Sequence, residues 1–419
     1  MNKALLKEII LEQKKQIEAI DLGIEREKLK SLQKHFKLPH ALVIAGIRRV
    51  GKSTLLAQIM RNFYQDKCYY FNFEDERLLD FEQKDFNLLY ETFVELFEEK
   101  KVFFLDEIQN IKGWESFVRR MQDKKFKFFI TGSNASLLSR ELGSKLTGRF
   151  LSCELYSFSF REYLTFKNIE PAKNWHLQTE ERARIKSLFN QYSKQGGMPE
   201  YLRYKEKEIL KNIYENILYR DIVARHDIKE VKSLRELTLY LVSNLSNLFS
   251  YNNLKKILKL GSVNTVKKFV DYLENSFLIF TTNLFSYSLK QQIVCPKKVY
   301  CIDNGLANAI SFKFSENRGW FLENLVFLEL KRQGEEVYYY KTKNNSEIDF
   351  VLRQGSSVKQ AIQVTQDASK EREIKSLVEA LKELELKQGL ILTEDEEEEK
   401  QIDGKTIIIK PIYKWLLEI

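Results

Sequence analysis

GIRRVGKS, residues 46–53, is the stretch that decides the fold of this 419-residue chain. The apolar run ALVIA (41–45) before it predicts a buried strand, and STLLAQIMRNFY (53–64) after it predicts a helix. Glycines at such a turn let backbone N–H groups converge on phosphate oxygens, and the helix N-terminus adds partial positive charge. The G-x-x-x-x-G-K-S spacing therefore predicts a phosphate-binding loop, the alternative being a plain glycine turn.

This loop defines the expected ligands. Lys52 would reach the β and γ phosphates of a nucleotide, and the Ser53 hydroxyl would ligate Mg²⁺. We therefore expect ATP and Mg²⁺ to bind here. The residues predicted to contact the nucleotide are Gly46, Ile47, Arg48, Arg49, Val50, Gly51, Lys52, Ser53 and Thr54.

Further short apolar runs follow the loop at residues 68–73 (CYYFNF), 101–106 (KVFFLD) and 127–131 (KFFIT). Stretches of helical periodicity, such as residues 86–99, separate them. Strands buried on both faces have this composition, and their alternation with helices is typical of a parallel sheet covered on both sides. The sequence predicts an α/β domain of this kind over residues 38–155.

An acidic pair ends the third of these runs. Asp106 is placed to hold Mg²⁺, and Glu107 to deprotonate a water that attacks the γ-phosphate. An apolar run followed by Asp-Glu is common on its own, where it marks a strand end with solvated acids. The pair predicts a catalytic site because it occurs together with the phosphate-binding loop.

Polar residues also end the fourth run, FFITGSNA, and include Thr131, Ser133 and Asn134. Asn134 is the candidate for positioning the attacking water; alternatively, it or Ser133 caps the following helix. Beyond it, Arg140 or Arg149 could neutralise charge on a neighbouring subunit's γ-phosphate, or could be a solvated arginine.

Taken in order, GIRRVGKST, YFNFEDERL, FFLDEIQN, ITGSNA, LTGRF and QGGMPEYLR resemble the AAA+-like archaeal and bacterial ATPases that carry a C-terminal domain of unknown function. The resemblance covers nearly all of the chain after about residue 20. It implies a P-loop NTPase sheet of the ASCE class, in which one strand is inserted between those bearing Gly46 and Asp106.

Composition shifts divide the rest of the chain. We predict a helical lead-in over 1–37, the ATPase core over 38–155, a helical lid region over 156–245, a winged-helix-like domain over 246–318, and an α/β domain over 319–419. The winged-helix prediction is based on two helices joined by a glycine turn within residues 250–278. The acidic run at 394–399 is expected to be a solvated loop.

By the same resemblance, residues 319–419 are similar to PD-(D/E)xK nucleases. Glu323 and Asp349 match the first two positions of that motif, whereas Gln363 and Thr365 stand where a metal-binding acid and a lysine are needed. The domain is therefore expected to lack nuclease activity.

Charge and composition exclude other classes. Lys plus Arg number 68 and Asp plus Glu 59, a net charge of +9 that permits polyanion binding. No membrane span or signal peptide is recognised, so a cytoplasmic protein is expected. The four cysteines form no C-x-x-C pair, which argues against zinc or a disulfide framework.

Three functions are compatible with these features. The first is a Mg²⁺-dependent ATPase that drives a conformational change on DNA or a protein client, with a homo-oligomer as a further expectation. The second is a nucleotide-switched DNA-binding protein, and the third, disfavoured, is a metal-dependent nuclease. The lysines behind the second are Lys255, Lys256, Lys259, Lys267 and Lys268, which equally suit a solubilising face.

Overall fold

A computed structural model describes residues 1–135, 146, 148–311, 318–355, 357–367 and 371–418. The chain divides into two compact units. The first comprises Met1–Leu155 with Asn275–Phe277, and the second comprises Tyr156–Glu274 with Leu278–Ile419. The predicted segments 1–37 and 38–155 both lie in the first unit.

The first unit contains a five-stranded parallel sheet in the order β2-β3-β4-β1-β5. Its strands are β1 (Ala41–Ala45), β2 (Tyr69–Asn72), β3 (Val102–Asp106), β4 (Lys127–Gly132) and β5 (Phe150–Glu154). β4 lies between β1 and β3, as the resemblance implies. All of the predicted runs form strands, and β1 is buried throughout its length.

Helices flank this sheet and contribute side chains to its hydrophobic core. They are α1 (Lys3–Ala19), α2 (Glu27–Gln33), α3 (Lys52–Ile59), α4 (Phe86–Phe97) and α5 (Trp114–Asp123). The amphipathic lead-in packs onto the domain, since Leu6, Ile9 and Ile10 of α1 are buried within the same hydrophobic cluster as Phe71 and Phe103.

The second unit begins with helices. They are α6 (Phe160–Phe166), α7 (Thr179–Gln195), α8 (Pro199–Tyr204), α9 (Lys207–Glu215) and α10 (Val231–Val242), with a π-helical segment at Asn216–Ala224. The chain then forms β6 (Leu248–Phe249), α11 (Tyr251–Ile257), α12 (Val263–Asn275), β7 (Ile279–Thr282), α13 (Leu289–Val294) and β8 (Lys297–Cys301). The three strands form an antiparallel sheet in the order β6-β8-β7.

The C-terminal part of this unit is a six-stranded mixed sheet in the order β13-β14-β12-β11-β10-β9. Its elements, after α14 (Asn304–Ile310), are α15 (Arg318–Arg332), β9 (Glu336–Lys341), β10 (Glu347–Gln354), β11 (Ser357–Val364), α16 (Glu371–Glu383), β12 (Gln388–Thr393), β13 (Glu398–Ile402), β14 (Lys405–Pro411) and α17 (Ile412–Glu418). β9, β10 and β11 are antiparallel, and β12 is parallel to β11.

Two local predictions need correction. The acidic run is not a loop throughout, because Glu398 and Glu399 begin β13, which pairs with β14 at the edge of the sheet. Charged side chains are tolerated there, since an edge strand keeps one side in water. β5 was not predicted, because FLSCE lacks a continuous apolar run and its side chains are only partly buried.

Among the residues that the structure describes, no helix combines the length and the apolar character needed to cross a membrane.

Candidate functional site

The loop after β1 needs glycine at two positions. A Cβ on Gly46 would lie 2.3 Å from the carbonyl oxygen of Leu155, so no larger residue fits. Gly51 has a φ of +98°, a conformation that side chains disfavour. Arg49 also has a positive φ, of 63°. The chain thereby turns sharply and enters α3 at Lys52.

Lys52 lies buried at the centre of this loop. Its Nζ donates to the carbonyl oxygens of Gly46 at 3.1 Å and Ile47 at 3.3 Å, and lies 3.2 Å from Glu107 Oε1. The loop and the end of β3 therefore meet at one ammonium group. The ammonium group has three N–H donors and three partners here, so a phosphate oxygen bound by Lys52 would take the place of one of them.

Asp106 is held in place from three sides. It accepts hydrogen bonds from the hydroxyls of Thr131, of Tyr70 at 3.1 Å, and of Ser53. Burial, followed by the charge of Glu107, raises the pKa of Asp106, against the opposing effect of the Ser53 and Thr131 bonds. Ser53 and Asp106, the two predicted metal ligands, are thus in direct contact.

Glu107 has the opposite electrostatic environment. Burial would raise its pKa, but the Lys52 ammonium and a hydrogen bond from Gln109 outweigh that effect and lower it. Its Oε2 also accepts from the backbone N–H of Ser133 at 3.2 Å. The backbone of Glu107 is left-handed, with a φ of 51°, and its N–H donates to Thr131 Oγ1 at 3.1 Å. Glu107 is therefore kept ionised and fixed, as a general base must be.

The donor set fits a nucleotide with Mg²⁺. A serine hydroxyl and a carboxylate are hard oxygen ligands, which Mg²⁺ prefers, and the cluster adjoins a loop of backbone N–H groups at a helix N-terminus. Ser53 and Asp106 would hold the ion, and Lys52 would face the phosphates.

The remaining predicted residues lie at different distances from this centre. Asn134 is buried and directly follows Ser133, whose N–H contacts Glu107. Arg48 lies in the loop and forms an ion pair with Glu74 at 2.7 Å. Its role at the nucleotide, like that of Asn134, stays a prediction.

Arg149 does not join this cluster. It precedes β5, its carbonyl accepts from Ala41 N at the start of β1, and its side chain pairs with Asp123. It lies at the amino edge of the sheet, whereas the loop follows the carboxyl edge. This position does not test the prediction that Arg149 acts on a neighbouring subunit. Arg140 lies outside the described residues.

Two contributors were missed. Buried Arg26 donates from Nη1 to Val50 O at 2.9 Å and so supports the loop, although it belongs to the lead-in. Tyr70 reaches Asp106 from the neighbouring strand β2. The period-two pattern of a strand could have placed the Tyr70 side chain on one face, but the contact with Arg26 depends on tertiary packing.

The C-terminal carboxylates form a separate cluster. Glu323 Oε1 lies 3.0 Å and Asp349 Oδ1 2.9 Å from the Nζ of buried Lys298, a residue of β8. Gln363 accepts from Asp349 N at 3.3 Å, but Thr365 Oγ1 donates to Asp367 O in the following turn. The structure therefore brings together Glu323, Asp349 and Gln363, but not Thr365.

The sheet order, the glycine loop and the Lys52–Asp106–Glu107 cluster define a P-loop NTPase domain of the AAA+ type. The sequence model of a family described as "AAA domain" matches residues 39–164. The models of two domains of unknown function match later parts of the chain: DUF8612 over 186–317 and DUF4143 over 318–415.

Curated proteins similar to this chain have no described function. An uncharacterized protein of Methanocaldococcus jannaschii is 38% identical over 398 residues, covering 90% of this chain and 88% of its own. One of Haemophilus influenzae is 30% identical over 394 residues, covering 90% and 94%. The chain belongs to the same family as these proteins.

Solved structures are more distant. The Aeropyrum pernix ORC1 protein in complex with DNA has a TM-score of 0.31 and 13% identity, covering 69% of this chain and 93% of its own. AMPPCP-bound DnaA from Aquifex aeolicus has a TM-score of 0.25 and 17% identity, covering 59% and 86%. At these scores neither identifies a ligand for this chain.

Proposed function

We propose that this protein is a Mg²⁺-dependent ATPase of the AAA+ class. The observation that carries the proposal is that three side chains meet at the end of the glycine loop. They are buried Lys52, Asp106, which accepts a hydrogen bond from Ser53, and ionised Glu107. Each group is held by at least one further hydrogen bond or ion pair, so the cluster is organised before any ligand arrives.

Different residues of the site have different roles in the proposed reaction. Loop N–H groups and Lys52 bind the phosphates and offset their charge. Glu107, which its lowered pKa keeps ionised, takes a proton from the attacking water, and the Ser133 N–H keeps its carboxylate oriented. Ser53 and Asp106 would hold Mg²⁺, which when bound would offset negative charge on the phosphate oxygens.

Phosphate release from ATP tests this proposal. Glu107→Gln removes the base but keeps the size and most hydrogen bonds of the side chain. We expect turnover to fall by roughly 100- to 10,000-fold, with ATP binding retained. Glu76→Gln, at an exposed position of the same unit, is the matched control. Full turnover in Glu107→Gln would refute the assignment.

DNA binding is the second candidate function. The order α10-β6-α11-α12-β7-β8, with β8 between β6 and β7, is that of a winged helix-turn-helix and supports this assignment. Lys256 of α11, Lys267 and Lys268 of α12, and Lys259 of the turn between these helices are exposed to solvent. Exposed cations on such helices attract phosphates, and a protein client is the alternative partner.

The C-terminal sheet supports the expected resemblance to nucleases in its layout alone. α15, the antiparallel strands β9 to β11, α16 and the parallel strand β12 follow one another in an αβββαβ order. The chemistry differs, because Gln363 is a weak metal ligand and Thr365 carries no charge. We propose that this domain serves as a scaffold or a binding surface and that it does not cleave nucleic acid.

A further inference from the structure

A buried ion cluster joins β8 to the C-terminal sheet within the second unit. Lys298 of β8 has 1% of its side chain exposed. Its Nζ lies 2.9 Å from Glu347 Oε1 and 2.9 Å from Asp349 Oδ1, both on β10, and 3.0 Å from Glu323 Oε1 on α15. Glu347 and Asp349 are two residues apart on one strand, so both face the same side of the sheet.

The carboxylates are also held by neutral donors. The Tyr300 hydroxyl donates to Glu323 Oε1 at 2.8 Å, and the N–H of Val364 donates to Asp349 Oδ2 at 2.9 Å. Tyr300 lies two residues after Lys298 on β8, so that strand supplies both the cation and a hydroxyl. The cluster is thus fixed by groups from β8, β10, β11 and α15.

Charge balance makes a cation necessary. Three carboxylates surround one point, two of them buried, and burying unpaired negative charge is costly. Burial, and next the charge of Asp349, raise the pKa of Glu323 to about 8, against the effect of Lys298, so this carboxyl is largely protonated near neutral pH and the cluster carries less than three full negative charges. Burial alone would lower the pKa of Lys298, but the charges of Asp349 and Glu323 raise it well above its usual value. The ammonium group therefore stays charged.

The residue that could have completed a metal-binding set is engaged elsewhere. The amide nitrogen of Gln363 donates to Glu373 Oε2 at 2.8 Å, and its oxygen accepts from the backbone of Asp349. Both polar atoms of the Gln363 side chain thus have a partner other than Lys298. The position among the three carboxylate oxygens is filled by Lys298 Nζ.

We infer that Lys298 is the resident cation of this carboxylate cluster, occupying the point where a divalent ion would otherwise bind and fastening β8 to the C-terminal sheet. The inference goes beyond ATP hydrolysis and concerns a different part of the chain. It gives a physical reason for a structural, rather than metal-dependent, role of Glu323 and Asp349.

Mn²⁺ binding to the nucleotide-free, full-length protein tests the inference. Lys298→Met removes the charge while keeping most of the side-chain volume, so three carboxylates are left without a cation. We expect this variant to have a lower Tm than the wild type, to bind one additional equivalent of Mn²⁺, and to regain Tm when Mn²⁺ is added. The phosphate-binding loop is the same in all variants and contributes equally.

The matched control is Lys298→Met with Asp349→Asn, in which the additional Mn²⁺ should be lost. A Lys298→Met protein that is folded but binds no more Mn²⁺ than the wild type would overturn the inference.

If Lys298→Met does not fold, Asp349→Asn in the otherwise unchanged protein tests the inference. We expect its Mn²⁺ stoichiometry to equal that of the wild type, because Lys298 already fills the cluster. A decrease in bound Mn²⁺ would show that the wild-type cluster holds metal and would contradict the inference.

Discussion

At the scale of single residues, two neighbouring acids at the end of β3 have opposite environments. Asp106 is surrounded by hydroxyl groups, which suit a metal ligand, whereas Glu107 faces the Lys52 ammonium, which keeps it ionised. Thr131 connects the two, since its hydroxyl donates to Asp106 and accepts from the backbone N–H of Glu107. It therefore positions both acids.

Replacing Thr131 with Val should therefore lower ATP turnover while the fold is retained. The side chain keeps its shape but loses both hydrogen bonds. Removal of such supporting partners commonly costs roughly 10- to 100-fold in activity or metal affinity. Steady-state phosphate release at several Mg²⁺ concentrations measures the effect. Thr92→Val, which removes a buried hydroxyl in α4 that donates to Leu88 O, is the control and should leave turnover unchanged.

The grouping of several site residues could be predicted from the sequence because the motifs that contain them are local, while their roles stay predictions. Lys52, Ser53, Asp106 and Glu107 follow from motif spacing and strand ends. Lys298 could not be predicted, since a lysine beside apolar strand residues is usually exposed. Its burial depends on carboxylates from two elements that come later in the chain.

At the scale of elements, runs with a strong apolar period were predicted with small errors at their ends. β1 begins and ends where ALVIA does, and α4 ends two residues before the predicted limit. The weakly apolar edge strands β5 and β13 were not predicted, because their stability comes from pairing with a neighbour rather than from their own composition. The strand β14 was not predicted either, although it contains the apolar run TIII and lies inside its sheet.

The glycine pair at 196–197, where two glycines interrupt the helical region, has a packing role that its sequence did not reveal. A Cβ on Gly197 would lie 2.3 Å from the carbonyl oxygen of Phe158, and the Gly197 N–H donates to Asp303 Oδ2 at 2.6 Å. Close approach of two backbone segments, and not only a turn, requires glycine here.

The proposed DNA-binding helices give an element-scale prediction. Replacing Lys256, Lys259, Lys267 and Lys268 with Gln should weaken duplex binding and reduce the slope of log K against log salt by up to about 4, if each lysine contacts one phosphate. Fluorescence anisotropy over a range of salt concentrations measures this slope.

The matched control replaces four exposed lysines elsewhere in the second unit, namely Lys229, Lys232, Lys343 and Lys387, with Gln. Both variants lose the same charge, so a specific surface predicts a large effect only in the first. Equal effects in both, or an affinity that does not depend on salt, would exclude these helices as the binding surface.

At the scale of the whole molecule, the residues of the proposed nucleotide site lie in the first unit, while α11, α12 up to Glu274 and the C-terminal sheet belong to the second. Hydrolysis changes the protein only if nucleotide stabilises one of its conformations over another. The fold class follows from the sequence. The client, the number of subunits and the role of Arg149 in an assembly depend on surfaces that no local motif describes.

The central claim is that a triphosphate is held by the loop at residues 46–53, with Lys52 as its main cation. Calorimetric titration with a non-hydrolysable ATP analogue and Mg²⁺ tests it most directly, using the wild type, Lys52→Ala and, as the control, Lys67→Ala at an exposed position. We predict that the wild type and Lys67→Ala bind one nucleotide per chain with similar affinity, and that Lys52→Ala shows no measurable binding. Wild-type affinity in Lys52→Ala, or no binding by the wild type, would contradict the claim.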